Sequence, residues 1–110
     1  MSTESIENRA FRPQTEELSR FLVALGDPMR QAIVVALAAE RLNVGELTQR
    51  FSLSRPAISH HLRVLADAGL LRRERNGRER VYRVAADRCR QLTAELQRFV
   101  DGCCSGTACC

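Results

Sequence analysis

A chain of 110 residues that is 45% hydrophobic and 27% charged has the size and make-up of a single globular domain. No apolar run approaches the ~20 residues of a membrane span, and the stretch Met1 to Arg12 is polar and mixed in charge, with no secretory core. A cytosolic protein with no membrane partner is therefore expected. The 17 basic residues, all arginine, outnumber the 13 acidic ones, and the imbalance is local. Between Arg55 and Arg83 eight arginines face only Asp67, Glu74 and Glu79, a net +5, while the rest of the chain is net −1. A positive excess confined to one segment points to a polyanion site, and to nucleic acid first.

Residues 1–14 read as a loose arm. Thr15 is placed to N-cap a first helix, with Glu16 and Glu17 at its positive end. Leu18, Phe21, Leu22 and Leu25 repeat at helical spacing, and Gly26 stops the run. Asp27-Pro28 starts a second helix, with Asp as cap and Pro in the first turn, and Ile33, Val34 and Leu37 form its apolar side. Asn43-Val44-Gly45-Glu46 has the form of a capping box opening a short third helix with Leu47 and Phe51 on one face. After the tight connection Ser52-Leu53-Ser54, Ser54 caps a fourth helix that carries Pro56 in its first turn and runs to about Ala68, closed by Gly69. Two helices with so short a break form a helix-turn-helix.

From Leu70 to Val84 the pattern changes to strand. Asn76-Gly77 predicts a β-hairpin with a type I′ turn, pairing Leu71 with Tyr82 and Arg72 with Val81. That register sets Arg75 against Arg78, Glu74 against Glu79 and Arg73 against Arg80, like charges that repel unless a polyanion neutralises them; a shifted register with a longer loop is the alternative. Asp87 is placed to cap a last helix with the stripe Cys89, Leu92, Leu96, Phe99, Val100 and Cys103, ending near Gly102.

The fourth helix divides by face. Ile58, Leu62 and Leu65 recur at core spacing, which leaves Ser54, Arg55, Ser59, His60 and Arg63 for base edges and phosphates in a major groove. Adjacent histidines suggest metal ligation, but His60 and His61, as neighbours on a helix, point about 100° apart, which argues against a shared ion. His61 falls towards the apolar side as a structural residue, and His60 towards DNA. Arg72, Arg73, Arg75, Arg78, Arg80 and Arg83 of the hairpin form a phosphate and minor-groove set.

Four of the five cysteines, Cys103, Cys104, Cys109 and Cys110, fall in the last eight residues, a clustering that in a cytosolic chain reads as metal, metalloid or redox chemistry. Nothing in the chain suggests catalysis: there is no Gly-rich phosphate loop, no nucleophile paired with a base and no site for an organic cofactor.

The segments Ala24–Arg30, Gly45–Leu47, Ser54–Leu65, Ala68–Arg72 and Gly77–Val84 together resemble the ArsR/SmtB family of metal-responsive repressors over roughly residues 15–102. The resemblance implies a mainly α winged helix-turn-helix of five helices and a two-stranded β-hairpin. It also implies a dimer built from the first and last helices, and repression relieved by a thiophilic or divalent metal. The expected dimer face is Leu18, Phe21, Leu22, Leu92, Leu96, Phe99 and Val100. Two departures redirect the ligand. Many arsenic sensors of the family carry Cys-x-Cys where this chain has Asn43 and Gly45, and the zinc sensors use Asp and His on the last helix, where this chain has Asp87 and Cys89 but no His. The tail, residues 103–110, takes their place. Soft thiolates select soft ions, and trivalent arsenic or antimony needs three thiolates in a pyramid, which any three of Cys103, Cys104, Cys109 and Cys110 could supply. Cadmium, lead, zinc or copper(I), or oxidation of the vicinal thiols, are the other readings of the same cluster. A thiol-based carrier of metal or electrons would explain the tail but not the helix-turn-helix and wing. Cys89, about 21 Å from Cys103 along a continuous helix, cannot share an ion with it in one chain.

Overall fold

A computed structural model describes residues 16–104 as five helices and a small sheet. Helix α1 is described over Glu16–Leu25 and meets α2 (Pro28–Ala39) at an angle of 89°. The Asp27 carboxylate makes that corner by accepting from the Met29 amide at 2.8 Å, and Pro28 occupies the first turn of α2, where it loses no hydrogen bond. A two-residue strand β1 (Leu42–Asn43) leads into α3 (Val44–Phe51). The capping box is complete: Asn43 Oδ1 accepts from the Glu46 amide at 2.8 Å, and Glu46 Oε1 accepts from the Asn43 amide at 2.9 Å. Ser52 ends α3 in the left-handed conformation, φ 53°. Ser54 then caps α4 (Arg55–Asp67), its hydroxyl accepting from Ala57 at 3.2 Å.

Strands β2 (Leu71–Asn76) and β3 (Glu79–Val84) follow, and α5 (Ala86–Cys103) closes the chain described. The Thr15 cap and the arm lie outside the described residues. The core is the meeting of the apolar faces read from sequence: Ile33, Leu47, Ile58, Leu62, Leu65, Leu70 and Leu92 are all fully buried. Gly69, at φ +89°, turns the chain from α4 into β2 in a conformation that favours glycine, and a Cβ there would stand 3.1 Å from Arg88 Cγ, so the Arg88 side chain of α5 would have to give by a few tenths of an ångström. No single helix among the described residues is long and apolar enough to cross a membrane.

Three expectations are corrected. The hairpin pairs Leu71 with Val84, Arg72 with Arg83, Arg73 with Tyr82, Glu74 with Val81, Arg75 with Arg80 and Asn76 with Glu79. The turn is therefore Gly77-Arg78 rather than Asn76-Gly77. Gly77 takes φ +69° while Arg78 stays at negative φ, the arrangement of a II′ turn with glycine first. Second, the sheet has three strands in the order β1-β3-β2, because β1 adds to the hairpin through Leu42–Tyr82 and Asn43–Val81. Third, Asp87 does not cap α5. The helix starts at Ala86, where the Ala85 amide is already held by the Leu70 carbonyl at 2.8 Å, and Asp87 sits in the first turn paired with Arg90 at 3.3 Å. Gly102 lies inside the helix, which reaches Cys103.

Candidate nucleic-acid interface

The capped start of α4 and the wing lie on one side of the domain and are tied together. Asn43, which already caps α3 and pairs with β3, also donates its side-chain amide to Glu79 at 3.2 Å, fixing the wing to the helix-turn-helix. Between them is a cleft of about 450 Å³ lined by Asn43, Gly45, Arg55, Arg78 and Arg80. On α4, Ser54, Arg55, His60 and Arg63 are exposed and Ser59 is half-buried, while Ile58, Leu62 and Leu65 turn inwards. His61 is 17% exposed, on the half-buried side that its helical position implied.

All six hairpin arginines are exposed. They are not electrostatically equal. Arg73 pairs with Asp67 at 3.8 Å and Arg83 with Glu74 at 3.6 Å. Arg55, Arg63, Arg72, Arg75, Arg78 and Arg80 make no ion pair among the described residues, so their charge is available to a partner. Arg75 and Arg80 stand directly opposite each other across the strands, an arrangement that costs stability until an anion lies between them. Replacing Arg78 and Arg80 together with alanine is expected to weaken binding to random duplex and to lower the slope of log affinity against log salt by about 2, near one per phosphate released. A slope unchanged from wild type would remove these two from the contact surface.

The cysteines separate into two kinds. Cys89 is half-buried, with its thiol 3.8 Å from the Leu70 carbonyl, and burial pushes it above the ordinary value for a thiol, opposed in part by the neighbouring Arg90 charge. A raised value leaves the neutral thiol in place at neutral pH, where it is a poor nucleophile and a poor ligand. Cys103 is exposed at the end of α5, and Cys104 is disulfide-bonded. Iodoacetamide at pH 8 is accordingly expected to label Cys103 roughly tenfold or more faster than Cys89, read by mass spectrometry, with the Cys89 rate still climbing at higher pH. Equal rates at pH 8 would show Cys89 to be open to solvent. Among the described residues no three His, Cys, Asp or Glu side chains gather to hold a metal ion. Cys109 and Cys110 lie outside the described residues.

The expected dimer face also divides. Leu18, Phe21 and Leu92 are buried within the protomer's own core, and Leu96 packs against that core. Leu22, Phe99 and Val100 are 42%, 50% and 42% exposed, and Val23 of α1, absent from the expected stripe, is 70% exposed. Helices α1 and α5 are held together by the Glu17–Arg88 ion pair. Asn43 and Val23 were not singled out as functional in the sequence; Asn43's cap was legible there, but its reach to Glu79 depends on a strand pairing that the sequence does not announce.

A helix-turn-helix with a basic wing, presenting unpaired arginines along one surface, defines a DNA-binding protein rather than an enzyme. The arsR family of bacterial regulatory proteins matches residues 27–73. The chain is 43% identical over 76 residues to the HTH-type transcriptional regulator Rv2034 of Mycobacterium tuberculosis, covering 69% of this chain and 71% of that one. It is 35% identical over 69 residues to the arsenical resistance operon repressor of Staphylococcus xylosus, covering 63% and 66%. Among solved structures, an ArsR-like transcriptional regulator from Rhodococcus sp. RHA1 superposes with a TM-score of 0.72 at 30% identity, covering 79% of this chain and 82% of that one. The chain belongs to the arsR family and is a transcriptional repressor of that kind.

Proposed function

We propose that the chain is a homodimeric repressor that binds double-stranded operator DNA and is released when trivalent arsenic or antimony binds its C-terminal cysteines. The observation that carries the DNA half is the single exposed surface of unpaired arginines that joins the start of α4 to the wing. In this reading Ser59, His60 and Arg63 contact base edges. Ser54, Arg55, Arg72, Arg73, Arg75, Arg78, Arg80 and Arg83 contact phosphates or the minor groove. Residues 15–102 form the DNA-binding and dimerisation unit, 1–14 an arm and 103–110 the sensing tail, in a cytoplasmic protein. The exposed apolar side chains of α1 and α5 are the natural face for a second copy, and a structural relative from Mycobacterium bovis is described as homodimeric.

The sensing half is supported by donor chemistry. Cys103 presents an exposed thiol where α5 ends, and in the reduced chain Cys104 and one or both of Cys109 and Cys110 complete the three thiolates that suit a thiophilic trivalent ion. A ligand there releases DNA only by favouring one dimer arrangement over another, since equal affinity for both shifts nothing. The vicinal cysteines of the tail carry a second reading, in which oxidation of those thiols is the signal. Titrating the reduced protein–operator complex with arsenite, antimonite, zinc, cadmium and peroxide side by side separates these. Release by the trivalent metalloids at the lowest concentrations is expected; release by peroxide alone would install the second reading.

A further inference from the structure

Arg30 lies outside the arginine surface, in the first turn of α2, and its side chain is only 13% exposed. Its guanidinium meets three elements at once. Nε donates to the Ala24 carbonyl at 2.6 Å and Nη2 to the Val23 carbonyl at 3.3 Å, both near the C-terminus of α1. Nη1 stands 3.3 Å from His61 Nδ1 on α4 and 3.4 Å from Asp27 Oδ2, the second oxygen of the residue that caps α2. His61 Nδ1 is itself 4.0 Å from Asp27 Oδ2. A guanidinium has no acceptor, so in a hydrogen bond from Nη1 the ring's Nδ1 is the acceptor and the ring proton sits on Nε2.

We propose that Arg30 is a positioning residue for DNA recognition, locking α4 to the end of α1 through His61 and so setting the angle at which His60 and Arg63 meet the groove. This rests on the reading of α4 as the recognition helix. The fork suits the task because its planar, pre-set donors reach two carbonyls and a ring nitrogen together, which a lysine ammonium on a flexible stem does not reproduce. His61 follows His60 in the chain and precedes Arg63 on α4, the two histidine ring centroids lying 6.0 Å apart with the rings tilted by 53°, so the strut holds the helix within two residues of both His60 and Arg63. Any movement of α1 against a second copy also reaches α4 at this joint, because the Ala24, Val23 and His61 bonds must travel together or break.

The test uses the full chain. Wild-type protein first enriches a duplex from a random-sequence pool; affinities for that duplex and for random duplex are then compared in Arg30→Lys, His61→Asn and His61→Leu. Arg30→Lys is expected to lower the ratio of selected to random affinity by roughly tenfold or more, the size of a lost base contact, with random affinity and salt slope kept by the surface arginines. His61→Asn, whose amide oxygen reaches the place of Nδ1, should retain the ratio, and His61→Leu should lose it. Equal losses on both duplexes, an unchanged ratio in folded Arg30→Lys, or Asn and Leu variants that behave alike would overturn the proposal. If Arg30→Lys does not fold, the His61 pair decides. Ring nitrogen shifts of His61 in the DNA-free protein give an independent check: an Nε2–H tautomer is expected, and an Nδ1–H tautomer overturns the strut. A wild-type chain that enriches no sequence contradicts the DNA reading instead, and the tautomer still decides the strut.

Discussion

Replacing Phe99 with glutamate is expected to give a folded monomer whose affinity for a two-half-site operator is lower by about 10²–10⁴-fold, the gain that linking two sites normally supplies. Phe99 is 50% exposed in the protomer and neighbours Val100, 42% exposed, on the outer face of α5. A carboxylate there sits in water when the chain is alone, so thermal stability of the protomer changes little, by about 0.5 kcal/mol or less. Across a dimer interface the same carboxylate is buried without a partner, which costs several kcal/mol and opposes association. Sedimentation at micromolar concentration reads the oligomeric state, and a titration against operator reads the affinity. A variant that remains dimeric would move the interface away from α5.

Truncation after Gly102 is expected to abolish the response to metalloid while leaving operator binding intact. The cut removes Cys103, Cys104, Cys109 and Cys110 and shortens α5 by only its last residue, so Leu96, Phe99 and Val100 remain in place. In the full chain, coupling of about 1–3 kcal/mol between ligand and DNA corresponds to a loss of affinity of roughly 5–150-fold on adding arsenite or antimonite. In the truncated chain that ratio should fall to one. Retained release by the truncated protein would place the sensing site elsewhere. Cys89 would not be the first alternative, because burial holds it as a neutral thiol.

What the sequence disclosed and what it hid follow from the range of the interactions concerned. Caps are local: Asp27, Asn43 with Glu46, and Ser54 each bond an amide two or three residues on, so their helix starts could be read directly. The apolar spacing of Ile58, Leu62 and Leu65 likewise fixed which side of α4 faces outward. The hairpin register was not local. Asn76-Gly77 is a strong turn pair, but the register found sets two like-charge pairs, Arg75–Arg80 and Arg72–Arg83, against three in the expected one. It also brings Arg83 within 3.6 Å of Glu74 and lets Tyr82 and Val81 pair with β1. The shift moves β3 by two residues along β2, an even number, so each side chain stays on the face that the expected register would give it. Strand β1 is too short to show alternation, and its partner is far along the chain. A helical stripe, finally, does not say what covers it. Leu18, Phe21 and Leu92 are covered by their own protomer, whereas Leu22, Phe99 and Val100 of the same stripes are left open. The Arg30 strut was invisible for the same reason, since it joins α1, α2 and α4 through contacts 6 to 31 residues apart.

The central claim, that α4 and the wing of two protomers read one duplex, is tested most directly by hydroxyl-radical and methylation footprinting of the reduced protein on a duplex enriched by the wild-type chain. The account predicts two equivalent major-groove patches whose centres lie about 10–10.5 base pairs, or 34–36 Å, apart, each flanked by backbone protection that is lost when Arg78 and Arg80 are replaced. A single patch, or protection that survives the loss of both arginines, would contradict it.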